Sequence, residues 1–293
     1  MAHLLLQGVP LGSPGWEIEA VLFDKDGTMS HSEPMLEGLA QERISTCLRL
    51  CSPHLEAQKL GPQNQGEAPR WTQDLQELLS RAYGLRAGRI DPAGITAVAS
   101  RDHNLIATAT VLTQVGLGWP DALAVSEQVF ALTDDLHGQG AGHRPQPTPG
   151  LASLLASLRQ AGIGCAVISN DHEAGIRAFL AAHGLQDRFQ GLWSADHRPA
   201  KPDPRAVHAL CAELGVEPSR CALVGDADSD LRMAVAAGVP VVLGYRGGWR
   251  EPPPLREDGP RLGHWSELQV APGPTPGSSP DKESEPGRPP CPA

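Results

Sequence analysis

The chain has 293 residues, 40% of them apolar, which is enough for one domain with a proper core and one sizeable addition. A net charge of −10 argues against a broad nucleic-acid or anionic-membrane surface, and no apolar run reaches the roughly 18 residues of a membrane span. Six cysteines without CxxC or metal-ligand spacing favour reduced core thiols over a zinc site. We therefore expect a cytoplasmic protein with no nucleic-acid or membrane partner.

The first predicted strand ends in two aspartates. Met1 to Leu11 is apolar but lacks the pattern of a secretory signal, so we treat residues 1–16 as a lead-in segment. Ile18 to Phe23 is rich in β-branched and aliphatic residues and breaks at an Asp-Gly turn, which predicts a strand. Asp24 and Asp26 would then follow its carboxyl end, where open α/β sheets bind ligands. A purely conformational turn is the alternative.

The strand pattern disappears between Pro34 and about Pro147. Long amphipathic stretches, MLEGLAQERISTCLRL, WTQDLQELLSRAYGL and PDALAVSEQVFALTDDL, predict helices instead. The polar Gly/Pro/Gln-rich segment 52–70 predicts a surface loop between the first two. We predict a helical cap at 34–146, inserted into a core formed by 17–33 and 147–270.

One polar cluster within this insertion precedes an apolar helix. Arg101, Asp102 and His103 are adjacent in the chain, and we interpret them as an ordinary solvated helix start.

Strand and helix patterns alternate in the second half of the chain. Four apolar runs that end in small or polar residues predict strands: GIGCAVISN, GLWSAD, CALVGDADSD and VPVVLGY. Helical spacing occurs between and after them, at Leu151–Ala161, His172–His183, Asp203–Leu214 and Leu231–Ala237. The alternation predicts an α/β fold with a Rossmann-like, mostly parallel sheet. The Pro-rich residues 271–293 have little to bury and predict a disordered tail, although a partner that binds polyproline II helix is an alternative.

A second acidic cluster follows another apolar strand. Asp226 and Asp230 lie in GDADSD, and carboxylates from two strand ends are suitable ligands for Mg²⁺. Helix capping is the alternative for the end of this cluster, but it does not account for Asp226.

Two further polar positions complete the candidate site. Ser169 and Asn170 end a predicted strand before a helix, where they are placed to hold an anion or to cap the helix. Lys201 is one of only four lysines in a chain that otherwise uses arginine, which suggests that a compact point charge is needed there.

These motifs together resemble those of the haloacid dehalogenase-like hydrolase superfamily. DKDGT at Asp24, the strand-end Ser169, Lys201 in KPDP and GDADSD at Asp226 occur in the family's order, between about Glu17 and Leu268. The insertion lies where the helical-cap subclass, which includes phosphoglycolate phosphatases, carries its lid.

The resemblance implies a role for each of these residues. Asp24 would be the nucleophile that attacks phosphorus. Asp26 would first protonate the leaving oxygen as an acid and then activate water as a base. Ser169, Asn170 and Lys201 would hold the phosphate. The implied ligands of the cofactor Mg²⁺ are Asp24, the main-chain carbonyl of Asp26, Asp226 and Asp230.

Residues around these motifs have open roles. Lys25 is variable in the family and would either contact the leaving group or point to solvent. Ser30, His31, Ser32 and Glu33 would form the hinge into the cap, with helix capping favoured over substrate contact.

The pattern also separates branches of the family. Carbon–halogen dehalogenases lack the acid at the position of Asp26, phosphonate-cleaving relatives need a cap lysine, and the only lysine of the insertion is Lys59 in its polar loop. We therefore expect a Mg²⁺-dependent phosphatase that acts on a small phosphorylated metabolite. A phosphoglucomutase-like phosphoryl transferase and a non-catalytic binding module are the alternatives, and the oligomeric state stays open.

Overall fold

The computed structural model describes residues 2–13, 16–58, 70–138, 144–255 and 258–272. Its strands are β1 (Ala2–Leu6), β2 (Val9–Pro10), β3 (Ala20–Phe23), β4 (Ser30–His31), β5 (Leu85–Arg86), β6 (Arg89–Ile90), β7 (Gln146–Pro147), β8 (Gly164–Ile168), β9 (Gly191–Trp193), β10 (Cys221–Gly225), β11 (Val241–Tyr245), β12 (Arg261–Leu262) and β13 (Leu268–Pro272). Its helices are α1 (Glu33–Gln58), α2 (Arg70–Tyr83), α3 (Ile95–Val98), α4 (Arg101–Gln114), α5 (Trp119–Gly138), α6 (Leu151–Gln160), α7 (Glu173–Ala182), α8 (Pro204–Leu214) and α9 (Asp228–Ala236).

A six-stranded parallel sheet forms the centre of the molecule. Its strand order is β12-β11-β10-β3-β8-β9. The five strands predicted from apolar runs all lie in it, and the predicted helices α6 to α9 connect them. The expected α/β class, with a Rossmann-like sheet and an inserted helical cap, is confirmed.

Helices bury both faces of this sheet. Along β3, Val21 and Phe23 pack into one cluster with residues of α6 and α7, whereas Ala20 and Leu22 pack into another with residues of α8 and α9. This alternation follows from the two-residue period of a strand. A strand buried on both faces must be apolar throughout, which explains the uninterrupted runs in the sequence.

The register of the sheet aligns the strand ends that carry the candidate site. Phe23 pairs with Val224 of β10 on one side and with Val167 of β8 on the other. The residues that follow these strands therefore meet at one edge of the sheet.

The insertion has its own core. Apolar residues of α1, α2, α4 and α5 form a separate cluster, and the short pairing of β4 with β7 joins this region to the sheet. Helix α1 continues to Gln58, so the loop predicted from residue 52 begins later. Buried Cys47 and Cys51 extend the apolar face of α1 into this region. Residues 59–69, with the rest of that predicted loop, lie outside the described ranges.

The first described strand is part of the molecule's core. Strand β1 pairs antiparallel with β13 and β2, and Leu4 is fully buried in the cluster beneath the sheet. Residues 1–16 were predicted only as a lead-in segment, because the partner strand of β1 lies at the far end of the described chain. Strand β13 runs to Pro272, and the rest of the predicted tail, 273–293, lies outside the described residues. The domain boundaries stay predictions.

None of the helices in the described ranges combines the length and the apolarity needed to cross a membrane.

Candidate active site

Three carboxylates meet at the carboxyl edge of the sheet. Asp24 directly follows β3, Asp226 directly follows β10, and Asp230 lies in the first turn of α9. All three are buried, and one oxygen of each lies within 4.8 Å of the others. The side-chain oxygen Oδ2 of Asp230 also accepts a 3.4 Å bond from the amide of Ala227, so this residue supports the helix start as well.

The ammonium group of Lys201 lies among these acids. Its Nζ is 2.6 Å from Oδ1 of Asp24 and 2.8 Å from Oδ1 of Asp230, and it donates a 3.2 Å hydrogen bond to the carbonyl of Ile168. Burial alone would lower the pKa of Lys201, but the two carboxylates outweigh burial and raise it. The lysine is therefore a fixed positive charge.

Lys201 pairs with two of the three buried carboxylates, Asp24 and Asp230, and has no ion pair with Asp226 among the described contacts. Burial is the largest cause that raises the pKa of Asp24 to about 6, against the opposing charge of Lys201. Burial, with the charges of Asp24 and Asp230, raises the pKa of Asp226 well above its usual range. The excess negative charge and the hard oxygen donors fit a divalent cation such as Mg²⁺.

Two donors orient Asp226. The hydroxyl of Thr28 donates to its Oδ1 at 2.7 Å, and the indole Nε1 of Trp249 donates to its Oδ2 at 2.6 Å. The loop before Thr28 passes so close that a Cβ on Gly27 would overlap that indole nitrogen, and Gly27 has φ +78°. Only glycine fits there. Sequence reasoning missed Trp249.

Asp26 is held by a lysine and a hydroxyl. Its Oδ1 accepts a hydrogen bond from Nζ of Lys25 at 2.8 Å and another from the hydroxyl of Ser32. The same Nζ lies 2.9 Å from Oδ2 of Asp171. Because Lys25 is only 3% exposed, its side chain does not point to solvent, which was one of its two predicted orientations.

The hinge residues beside Ser32 contact the segment that contains Trp249. Nδ1 of His31 lies 3.1 Å from the carbonyl of Gly248, and Oε2 of Glu33 accepts a 2.9 Å bond from the amide of Arg250. These contacts favour the structural interpretation of the hinge.

Ser169 and Asn170 lie at the same sheet edge, after β8. The hydroxyl of Ser169 accepts a hydrogen bond from the amide of Asp171 at 3.1 Å, whereas the N-cap of α7 is His172. Nδ2 of Asn170 donates to the carbonyl of Val98 in the cap at 2.9 Å. Its Oδ1 is buried and receives no hydrogen bond from the described residues.

A cavity of about 870 Å³ lies between the sheet edge and the cap. All seven predicted site residues line it: Asp24, Asp26, Ser169, Asn170, Lys201, Asp226 and Asp230. The opposite wall comes from α1, the segment around α3, α4 and α5.

The cap wall contains charged residues that are not among the seven predicted site residues. Arg101 is the first residue of α4, but it also lines the cavity, and its Nε lies 2.5 Å from Oδ2 of Asp134. The interpretation of the cluster as an ordinary solvated helix start therefore describes Arg101 only in part. That interpretation does describe its exposed neighbours Asp102 and His103. Arg43 lies on the same wall, with an amino nitrogen 3.2 Å from Oδ1 of Asp134.

Comparison with known proteins shows the family. The sequence matches the haloacid dehalogenase-like hydrolases over residues 18–238. Phosphoglycolate phosphatase of Rhodospirillum rubrum is 33% identical over 239 residues, which cover 80% of this chain and 82% of that protein. Phosphoglycolate phosphatase of Pseudomonas putida is 30% identical over 251 residues, which cover 85% and 77%. The chain belongs to the haloacid dehalogenase-like hydrolase family.

Solved structures share the fold. A predicted phosphoglycolate phosphatase from Haemophilus somnus 129PT superposes with a TM-score of 0.53 at 21% identity, covering 78% of this chain and 85% of that one. The 2-haloacid dehalogenase from Pseudomonas syringae pv. tomato DC3000 gives 0.50 at 23% identity, covering 85% and 96%. The same fold therefore occurs in a protein named as a phosphatase and in one named as a dehalogenase, so the fold alone does not identify the reaction.

Proposed function

We propose that this phosphoric monoester hydrolase cleaves a small organic phosphomonoester, with Asp24 as the nucleophile and Asp26 as the general acid and base. The main support is the placement of the Asp24 carboxylate, which faces the cavity beside Lys201 and the acids Asp226 and Asp230. Asp26 lines the same cavity.

The reaction has two steps. In the first, an oxygen of Asp24 forms a bond to phosphorus while the ester bond breaks, and Asp26 gives its proton to the leaving alkoxide. In the second, Asp26 takes a proton from water, the water oxygen attacks phosphorus, and inorganic phosphate leaves with restoration of the Asp24 carboxylate. Lys25 and Ser32 orient Asp26 for both proton transfers.

The remaining residues hold the phosphoryl group. Lys201 and the hydroxyl of Ser169 supply positive charge and a donor at the sheet edge, as phosphoryl transfer requires. Asn170 would also donate to a phosphate oxygen if its side-chain amide gave up the hydrogen bond to the carbonyl of Val98.

Four groups are assigned to the metal. Asp24, Asp226, Asp230 and the main-chain carbonyl of Asp26 would hold Mg²⁺. When bound, it would supply charge neutralisation for the three acids and for the phosphate oxygens.

Phosphoglycolate is the first substrate to test, because two relatives that are 33% and 30% identical over most of this chain are phosphoglycolate phosphatases. A phosphomutase would use the same Asp24 and Asp26 and differ in returning the phosphoryl group to a sugar. A binding module would need none of these acids, and their common placement in one cavity counts against it. A cytoplasmic location stays a prediction.

Inorganic phosphate release tests the proposal. The purified protein would be incubated with Mg²⁺ and phosphoglycolate, hexose phosphates and other small esters, beside the Asp24→Asn variant. We expect release that requires both the metal and Asp24. Undiminished release by Asp24→Asn would refute the nucleophile, and a phosphorylated isomer without release would indicate the mutase.

A further inference from the structure

The cap wall of the cavity presents two arginines to one acid. On α1, Met35, Leu39 and Arg43 recur every four residues and all line the cavity, so they form one face of the helix. Arg101 begins α4, and Asp134 lies on α5. Three separate helices therefore bring these charges together across the cavity from the catalytic acids.

The positive charge here exceeds what a structural ion pair needs. Asp134 accepts from both guanidinium groups, and it is the only acid among the described cap residues that line the cavity. The ring of Phe130 lies beside both, 3.9 Å from the guanidinium carbon of Arg43 and 5.3 Å from that of Arg101. A neighbouring ring stabilises a cation but does not neutralise it.

Arg43 is the less satisfied of the two. Its side chain is 6% exposed, and its Nε has no acceptor among the described residues. A buried donor without a partner costs free energy, most of all when it carries charge. A ligand with an acidic group would supply the missing acceptor and the missing negative charge.

We propose that Arg43 and Arg101 bind a second anionic group on the substrate, a carboxylate or a phosphate, so that the substrate is a phosphomonoester whose leaving group is itself acidic. The proposal rests on the phosphatase function proposed above. Guanidinium groups suit this role because their planar donors match the two oxygens of such an anion. The phosphate to be transferred would lie at Asp24 and Lys201, and the second anion at the cap.

Matched esters test this specificity. Each pair differs by one anionic group: phosphoglycolate with ethyl phosphate, and fructose 1,6-bisphosphate with fructose 6-phosphate. We expect kcat/KM to be at least about tenfold higher for the ester with the second anionic group in one of the two pairs. The pair that shows this preference identifies the second group as a carboxylate or a phosphate.

Two variants assign the preference to the arginines. Arg43→Met and Arg101→Met retain an aliphatic stem beside Phe130. Each should reduce kcat/KM for the ester with the second anionic group about 10- to 100-fold more than for its partner without that group, mainly through KM. Arg43→Lys should recover part of the loss. Arg81→Met is the matched control, since Arg81 lies on the exposed surface of the cap helix α2. Equal losses on both esters, or no preference in the unmodified protein, would overturn the proposal.

A binding measurement separates this proposal from the hydrolytic one. Calorimetry on the Asp24→Asn protein should show phosphoglycolate or fructose 1,6-bisphosphate binding at least about tenfold more tightly than its partner ester without the second anionic group. The difference should be lost in Asp24→Asn combined with Arg43→Met. If no ester is hydrolysed but this difference appears, the phosphatase function fails and the anion site stands. If hydrolysis occurs but the difference is absent, only the anion site fails.

Discussion

Charge is the dominant physical feature at the scale of single residues. Asp24, Asp226 and Asp230 are buried together with one lysine, and burial raises the pKa of the first to about 6. When folding raises the pKa of a carboxyl group, ionisation of that group at higher pH lowers the free energy of unfolding. The candidate site is therefore predicted to lower the stability of the metal-free protein.

The Asp24→Asn variant measures this cost. The folded-state pKa of Asp24 lies above its ordinary 3.8, so its destabilising effect is absent below pH 3.8, grows as the pH rises to about 6, and stays constant above. In metal-free buffer at pH 7, Asp24→Asn should be more stable by up to about 3 kcal/mol in urea unfolding. Excess Mg²⁺ should reduce or reverse the difference, because it binds the native acids. Equal stability of the two proteins from pH 4 to pH 7 would contradict the argument.

At the scale of elements, the segment after β11, the strand beside β10, supports the acidic cluster. Trp249 follows β11, donates to Asp226, and also packs into the apolar core of the cap. One side chain thus links the sheet edge to the helical insertion. A group that orients a metal ligand commonly changes metal affinity when it is removed.

Trp249→Phe should weaken the response to Mg²⁺. The ring remains, but Oδ2 of Asp226 loses its indole donor, so half-maximal activity should need at least about tenfold more Mg²⁺. The matched control is Trp71→Phe, because Trp71 is buried in the same cap core and its Nε1 has no partner among the described residues. If both variants shift the Mg²⁺ titration equally, packing rather than orientation of Asp226 is responsible.

The sequence predicted elements with strong local patterns. The five core strands are apolar runs that end in small or polar residues, and α6 to α9 carry helical spacing. Strand β12 has only two residues, one of them Arg261, and so leaves no pattern.

The predicted site residues belong to short local motifs. Most of these motifs follow a strand end, whereas Lys201 lies in the segment between β9 and α8. Arg43 and Trp249 were not predicted as site residues, and Arg101 was interpreted only as part of a helix start, because the groups around all three come from segments distant in the chain. A weak indication existed for Arg43, which repeats the four-residue spacing of Met35 and Leu39 and so falls on an otherwise apolar helix face.

At the scale of the whole molecule, the two ends of the described chain are joined. Strand β1 pairs with β13 over Ala2↔Pro272 to Leu6↔Leu268. Leu4 contributes a fully buried side chain to the main core, so this pairing contributes to the stability of the whole fold rather than of a surface addition.

Leu4→Ala should therefore destabilise the protein globally, by about 2–5 kcal/mol in chemical unfolding. Val9→Ala is the control, since Val9 lies in the neighbouring strand β2 but is 64% exposed, and a change within about 0.5 kcal/mol is expected there. A cost for Leu4→Ala no greater than that for Val9→Ala would mean that the first strand is dispensable.

The junction between core and cap consists of the paired strands β4 and β7. Two chain segments cross it side by side, with Ser30 opposite Pro147 and His31 opposite Gln146. Arg43 and Arg101 are joined through Asp134, so opening of the cap about this junction would carry both arginines away from Asp24 together. A substrate bound both at Asp24 and at the two arginines would then hold the core and the cap together. Cleavage of the ester bond would remove this link between core and cap, so the reaction itself would allow the cap to open.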